Sequence, residues 1–192
     1  MPVRLNSSGG GSVTLDVPAT AGTFNAVIPA NNGTIVTTGS TAAVTQGMLA
    51  SGVAGNGPAF SAYPSSGQTI SNNVLTKMSF NIELFDTNAC YDTSIFRFTP
   101  NVAGYYLLTG RIVIPGGSFV IPHIFKNGAS AKEGVIGASV NNPYGSNVSG
   151  LVYLNGSSDY VELYGYQASG SNQIASLGAT NCYFDGFLAR AA

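Results

Sequence analysis

Two Asn-Gly dipeptides, at 127–128 and 155–156, lie between short runs in which apolar and polar residues alternate. Alternation places successive side chains on opposite faces of an extended strand. Asn-Gly supplies the left-handed backbone that a two-residue hairpin turn requires. Both sites therefore read as hairpins. No dozen-residue window repeats apolar residues at i, i+3, i+4 and i+7, so an amphipathic helix has nothing to form from. From Pro58 onward the strand-like runs follow closely: "AFSAY", "VLTKMSFNIEL", "SIFRFT", "GYYLLTGRIVI", "SFVIPHIFKNG", "SGLVYLNGSSDYVELYGY" and "NCYFDGFLARA". Gly, Pro, Asn and Ser separate them. This amounts to about eight to ten strands, the density of an all-β sandwich.

Composition decides what surface such a sandwich shows. Charged residues are 8% of the chain and hydrophobic ones 44%, with 10 Tyr and 10 Phe. That balance is the reverse of a disordered chain's. The surface must be made of Ser, Thr, Asn, Gly and Tyr, which protects solubility weakly unless part of it is covered in an oligomer or on a larger assembly. The net charge is −1, and the basic residues are scattered singly from Arg4 to Arg190, so no nucleic-acid footprint exists. No apolar run reaches the length of a membrane span, and membrane insertion is not expected. The opening "MPVRLNSSGGGS" lacks the apolar centre of a secretory signal. The sequons at Asn6, Asn32, Asn147 and Asn155 read as by-products of an Asn/Ser/Thr-rich surface.

Residues 1–55 differ from the rest. Short β-prone pieces, 12–17 and 34–37, stand between Pro and Gly, with too few aromatics to build a core. They read as an arm whose strands are completed by a neighbour. Residues 56–192 read as the sandwich.

Residues that carry chemistry are sparse. His123 lies in the apolar run "VIPHIF" and reads as a strand residue with a packing or interface role. As a general base it would need a nucleophile and an orienting carboxylate. Glu83, Asp86, Asp92, Asp159, Glu162 and Asp185 read as turn formers or solvated strand faces rather than a glycosidase pair. Asp86 and Asp92 form the nearest pair for calcium, without an Asp-rich loop of fixed spacing, and no metal or other cofactor is assigned. Cys90 and Cys182 are either one disulfide or two buried thiols.

The aromatic spacing in 80–110 is specific. Phe80, Asp86, Tyr91, Phe98, Gly104 and Tyr106 resemble the signature of the complement component 1q head domain, with Leu108 and Gly110 where that signature has aromatics. "IFKNG", "SGLVYLNGSSDYVEL" and "YFDGFLA" resemble further elements of the same family in the same order, over residues 58–190. The resemblance implies a jelly-roll β-sandwich shared with the tumour necrosis factor family. Its implied framework and core are Phe60, Phe80, Tyr91, Phe98, Gly104, Tyr106, Phe125, Val161, Leu163, Phe184, Gly186 and Phe187. It also implies three-fold self-association, with Tyr105, Tyr153, Tyr164 and Tyr166 as interface residues in preference to a sugar-stacking role.

The segment "SVTLDVPATAGTFNAVIPANNGTIVTT" is similar to the β-segments that precede the distal domains of bacteriophage tail-fibre and virion-surface proteins. Together the two resemblances imply a non-enzymatic homotrimer on a virion surface, made in the host cytoplasm. In one reading it decorates or cements a capsid through residues 1–55. In the other it is a tail-fibre or tailspike tip that binds a host-surface glycan or protein. A soluble recognition module of complement type is a third reading, disfavoured by the missing signal and collagen repeat.

Overall fold

The structure is a computed structural model and describes residues 3–6, 9–10, 12–15, 57–114, 119–135 and 144–192. The chain divides into two units, Met1–Ala43 and Val44–Ala192. The boundary expected after residue 55 and the strand expected over 34–37 lie outside the described residues. In the first unit, β1 (Val3–Asn6) pairs antiparallel with β2 (Ser12–Leu15), with Val3 opposite Leu15 and Asn6 opposite Ser12. β2 falls within the run expected from sequence, and β1 was not anticipated.

The second unit contains no helix among the described residues. Its strands are β3 (Ala59–Tyr63), β4 (Gln68–Ile70), β5 (Thr76–Lys77), β6 (Ile82–Asp86), β7 (Tyr91–Asp92), β8 (Arg97–Phe98) and β9 (Ala103–Ile114). They continue with β10 (Ile121–Lys126), β11 (Ala129–Glu133), β12 (Tyr144–Asn155), β13 (Val161–Tyr166), β14 (Gln173–Ala175) and β15 (Tyr183–Ala191). One sheet runs β12-β9-β15-β3-β6. The other runs β11-β10-β13-β8-β7, with β5 also on β13, and β4 and β14 form a separate ribbon.

The core lies between the sheets and is centred on Phe60. Its ring stacks on Phe98 at 4.3 Å and on Tyr91 at 5.1 Å, and meets the edge of Phe184 at 5.0 Å. Phe98 in turn meets Tyr106 at 5.6 Å. Each such ring, taken fully from water, contributes about 1.5–3 kcal/mol of gross burial energy. The phenols stay hydrogen-bonded: Tyr91 donates to the Phe80 carbonyl at 2.9 Å, and Tyr106 to that of Val102 at 2.7 Å. Phe80, Val161 and Leu163 are also buried. On β9 the two departures from the family signature, Leu108 and Gly110, both point inward. A side chain at Gly110 would collide with Leu163, so the missing aromatic there makes room for the opposite sheet.

Asn127 and Gly128 adopt φ of 51° and 81° and join β10 to β11 with Lys126 opposite Ala129. That is the two-residue hairpin expected. Asn155-Gly156 makes no hairpin. β12 pairs with β9 and β13 with β10, so this turn carries the chain from one sheet to the other. The Asn155 side chain accepts the N–H groups of Ser157, Ser158 and Asp159 at 2.9–3.0 Å, closing the corner locally.

Candidate functional site

Period-2 alternation turns half of the five-stranded sheet's side chains away from the core. On β9 these are Tyr105, Leu107, Thr109 and Arg111, and on β12 Ser149, Leu151 and Tyr153. On the central strand β15, Asp185 and Phe187 face the same way, next to Ser61 and Ala59 of β3. The register lines them up across the sheet: Leu151 opposite Leu107 opposite Phe187 opposite Ala59, and Tyr153 opposite Tyr105. On the edge strand β6, Phe85 stands opposite Ser61.

Much of this row is open to solvent. Leu151 is 54% exposed, Phe187 49%, Tyr105 46% and Tyr153 42%, and Leu84 and Phe85 are exposed as well. The Tyr105 and Tyr153 rings pack at 5.5 Å, so they present a joint apolar surface. Scattered exposed apolar residues are ordinary on proteins, but a contiguous row across several strands marks an interaction surface.

Two expected core positions thereby change place. Phe187 alternates with the buried Phe184 and Leu188 pattern through Gly186 and faces outward, since Gly186 takes the inward position against Phe60 and Leu108. Phe125 is half-buried on the outer face of the other sheet, because its neighbour Ile124 occupies the core. The four expected interface tyrosines also separate. Tyr105 and Tyr153 lie on the row just described, whereas Tyr164 and Tyr166 lie on β13 in the opposite sheet. Tyr164 packs on Phe125 at 4.2 Å, and Tyr166 donates to Asn73 Oδ1 at 3.3 Å. Leu107, Leu151 and Phe85 share this outward face and were passed over by sequence reasoning. Their signal was the alternation itself, read on the side opposite the core.

The acids fall into four environments. Asp86 accepts the Tyr91 N–H at 2.7 Å, Asp92 accepts those of Ser94 and Ile95, and Asp159 pairs with Lys126 at 2.8 Å; these three organise turns. Hydrogen bonds from Ser94 hold Asp92 below the usual carboxylate range, and those from Lys126 and Asn127 do the same for Asp159. Glu83 is exposed. Glu162 corrects the expectation of a solvated face: it is 2% exposed and paired with Lys77 and Arg97. Burial pushes its carboxyl up, but hydrogen bonds and charge from the two cations outweigh this and hold it low. Asp185 lies on a strand and is half-buried, and its carboxyl accepts the Ser61 hydroxyl at 2.6 Å.

His123 is buried, with Nδ1 3.3 Å from Ser130 Oγ. Among the described residues no carboxylate bonds its other nitrogen, so no acid–base–nucleophile relay is assembled there. Burial lowers its pKa, against an opposing pull from Glu133. Cys90 and Cys182 are free and buried, which removes the disulfide alternative. The closed fold buries each in its own place: Cys182 Sγ accepts the Val113 N–H at 3.3 Å, and Cys90 Sγ contacts the Asn88 carbonyl at 3.4 Å. Among the described residues no three His, Cys, Asp or Glu gather as a metal set.

Solved structures share this arrangement. The globular domain of zebrafish complement 1qA aligns with TM-score 0.55 and 18% identity over 71% of this chain and 99% of that one. The fold is the C1q/TNF jelly roll. Eiger TNF from S. frugiperda aligns with TM-score 0.55 and 8% identity over 71% of this chain and 95% of its own. Murine APRIL aligns with TM-score 0.55 and 11% identity over 69% and 98%. No protein-family model and no curated protein sequence matches the chain. At these identities the likeness concerns the jelly roll alone.

Proposed function

We propose that this chain is a non-enzymatic, homotrimeric virion-surface protein of a bacteriophage. Its jelly-roll head is a decoration or cement unit, and residues 1–55 are its anchor on the capsid. The observation that carries self-association is the outward row on the five-stranded sheet in which Leu151, Phe187, Tyr105 and Tyr153 are exposed around half-buried Leu107. A second copy that covered it would remove several large apolar side chains from water, each worth about 1.5–3 kcal/mol when fully buried. A three-fold arrangement closes without leaving the row open at an end. The weakly charged, Ser/Thr/Asn-rich remainder suits a head held on a particle, and the sequence likeness of the arm to phage segments supports that setting.

Sedimentation equilibrium of the full chain tests the assembly, with three times the chain mass expected. Leu151→Asn combined with Phe187→Ser should give a folded monomer with an unchanged β spectrum. A monomeric parent chain, or a double variant that still forms trimers, would sink the interface. Labelled protein seen by electron microscopy on phage particles tests the setting. Label over the capsid fits decoration, and label confined to the tail replaces it with a fibre tip that binds a host-surface glycan or protein. Deletion of residues 1–55 should abolish attachment.

A further inference from the structure

Asp185 shares the outward face with the apolar row and stands one row from it, in line with Ser149, Thr109 and Ser61. β15 is the middle strand of the five, and Asp185 lies one outward position from Phe187, between Thr109 of β9 and Ser61 of β3. Among the described residues its carboxyl has one hydrogen bond, from the Ser61 hydroxyl at 2.6 Å. The other charged groups on this face stand apart from it. Arg111, opposite Tyr183, has a buried Nε without a partner, and Arg190 stands opposite Tyr105 at the far end of β15. Glu83 and Asp86 of β6 pair with Ala62 and Phe60, which point into the core. The remaining titratable side chains are phenols: Tyr183 on the same strand, Tyr63 on β3, and Tyr105 with Tyr153 beyond.

A carboxylate sealed inside an apolar contact must be paired or neutral. Among the described residues no cation reaches Asp185. We propose that Asp185 makes assembly of this face proton-linked, each copy taking up one proton at this carboxyl as the row is covered by its neighbours, so that the trimer tightens in acid and loosens as pH rises. This rests on the self-association reading above. Partial burial already raises the carboxyl in the free subunit, opposed by the Ser61 hydrogen bond, and covering the face removes more water from it. The sign follows from that order. The assembled state has the higher pKa, so the gain from assembly is complete below the free-subunit pKa and is lost as pH rises through the assembled one.

Sedimentation equilibrium of the full chain from about pH 4 to about pH 8 tests this. Where the trimer stays intact at every dilution, the rate of subunit exchange replaces the equilibrium constant. The parent chain should weaken with rising pH, by up to about a thousandfold per pH unit for three protons per trimer. Asp185→Asn should associate tightly with no slope over this range. Ser61→Ala, which removes the bond to the charged form, should move the parent's midpoint to higher pH. An unchanged slope in Asp185→Asn would assign the proton to another group and overturn the proposal. Tightening with rising pH would overturn it in favour of an ion pair with Arg111 or Arg190 of a neighbouring copy. A pH-independent trimer defeats proton linkage alone, whereas a monomer at every pH defeats the self-association reading as well.

Discussion

Arg97 meets Glu162 through two guanidinium nitrogens, Nε at 2.9 Å and Nη2 at 2.8 Å, both on the same carboxylate oxygen. β8 and β13 are neighbours in the sheet, and their alternation brings both side chains to its outer face. Lys77 adds a third group from β5 at 2.6 Å, while the Arg97 guanidinium lies 3.6 Å over the Tyr160 ring. The carboxylate is buried under its own partners, so three strands are tied together by one charge.

Glu162→Gln should therefore destabilise the head by about 2–3 kcal/mol at neutral pH, below the largest losses for broken buried pairs because both cations can turn to water. The pH sign is set by the lowered native pKa of Glu162. Its contribution is present above the unfolded carboxylate pKa and is lost as pH falls through the native one. Urea unfolding of both proteins at neutral and acid pH should show the gap closing in acid. A gap that stays constant would contradict the linkage.

At Gly186 the constraint is space. An added methyl would stand 2.6 Å from Leu108 Cδ2 and 2.7 Å from Phe60 Cε1. Gly186→Ala should cost about 1–3 kcal/mol as those side chains shift. Gly104→Ala should cost more, since its methyl would strike the backbone carbonyl of Arg190, which cannot rotate away. Thermal melts of the two variants should rank in that order.

Tyr91→Phe keeps the ring on Phe60 but leaves the Phe80 carbonyl without its donor. A loss of about 1–2 kcal/mol is expected. Burial first, and the charges of Glu83, Asp92 and Glu162 after it, push the Tyr91 phenol above its ordinary range; burial does the same for Tyr106. Ultraviolet titration should find two tyrosines that ionise only as the head unfolds, and one fewer in Tyr91→Phe.

For the cysteines, burial raises the thiol pKa of both Cys90 and Cys182. A thiol reagent at neutral pH should label neither in the native head and both in denaturant. An intact mass two hydrogens lighter before reduction would reveal a disulfide and contradict the arrangement described.

The strands were legible because their cause is local. Alternation, β-branched residues and Gly/Asn/Pro breaks around 103–114 and 144–155 act through neighbours in the chain, as does the Asn127-Gly128 turn. Asn155-Gly156 has the same local chemistry, yet the strands it separates join different sheets. The turn closes locally through the Asn155 side-chain Oδ1 in either case, so the dipeptide contains no record of which strand β13 will pair with. The exposed row was legible only by half. Alternation places Leu151 and Tyr153 opposite Val152 and Leu154, but which side faces the core depends on the second sheet.

From sequence alone came the all-β class, which follows from residue type at short spacing, and a family resemblance that implied the jelly roll and the aromatic framework of Phe60, Phe98, Tyr106 and Phe184. Tertiary structure decided that Phe187 faces outward, that Cys90 and Cys182 stay apart, that Glu162 is buried and that Asp185 shares the outward face beside the apolar row. These outcomes depend on strand order and register between segments far apart in the chain. A side chain's water and charges are then set by neighbours brought to it across the sheet, which no local pattern specifies.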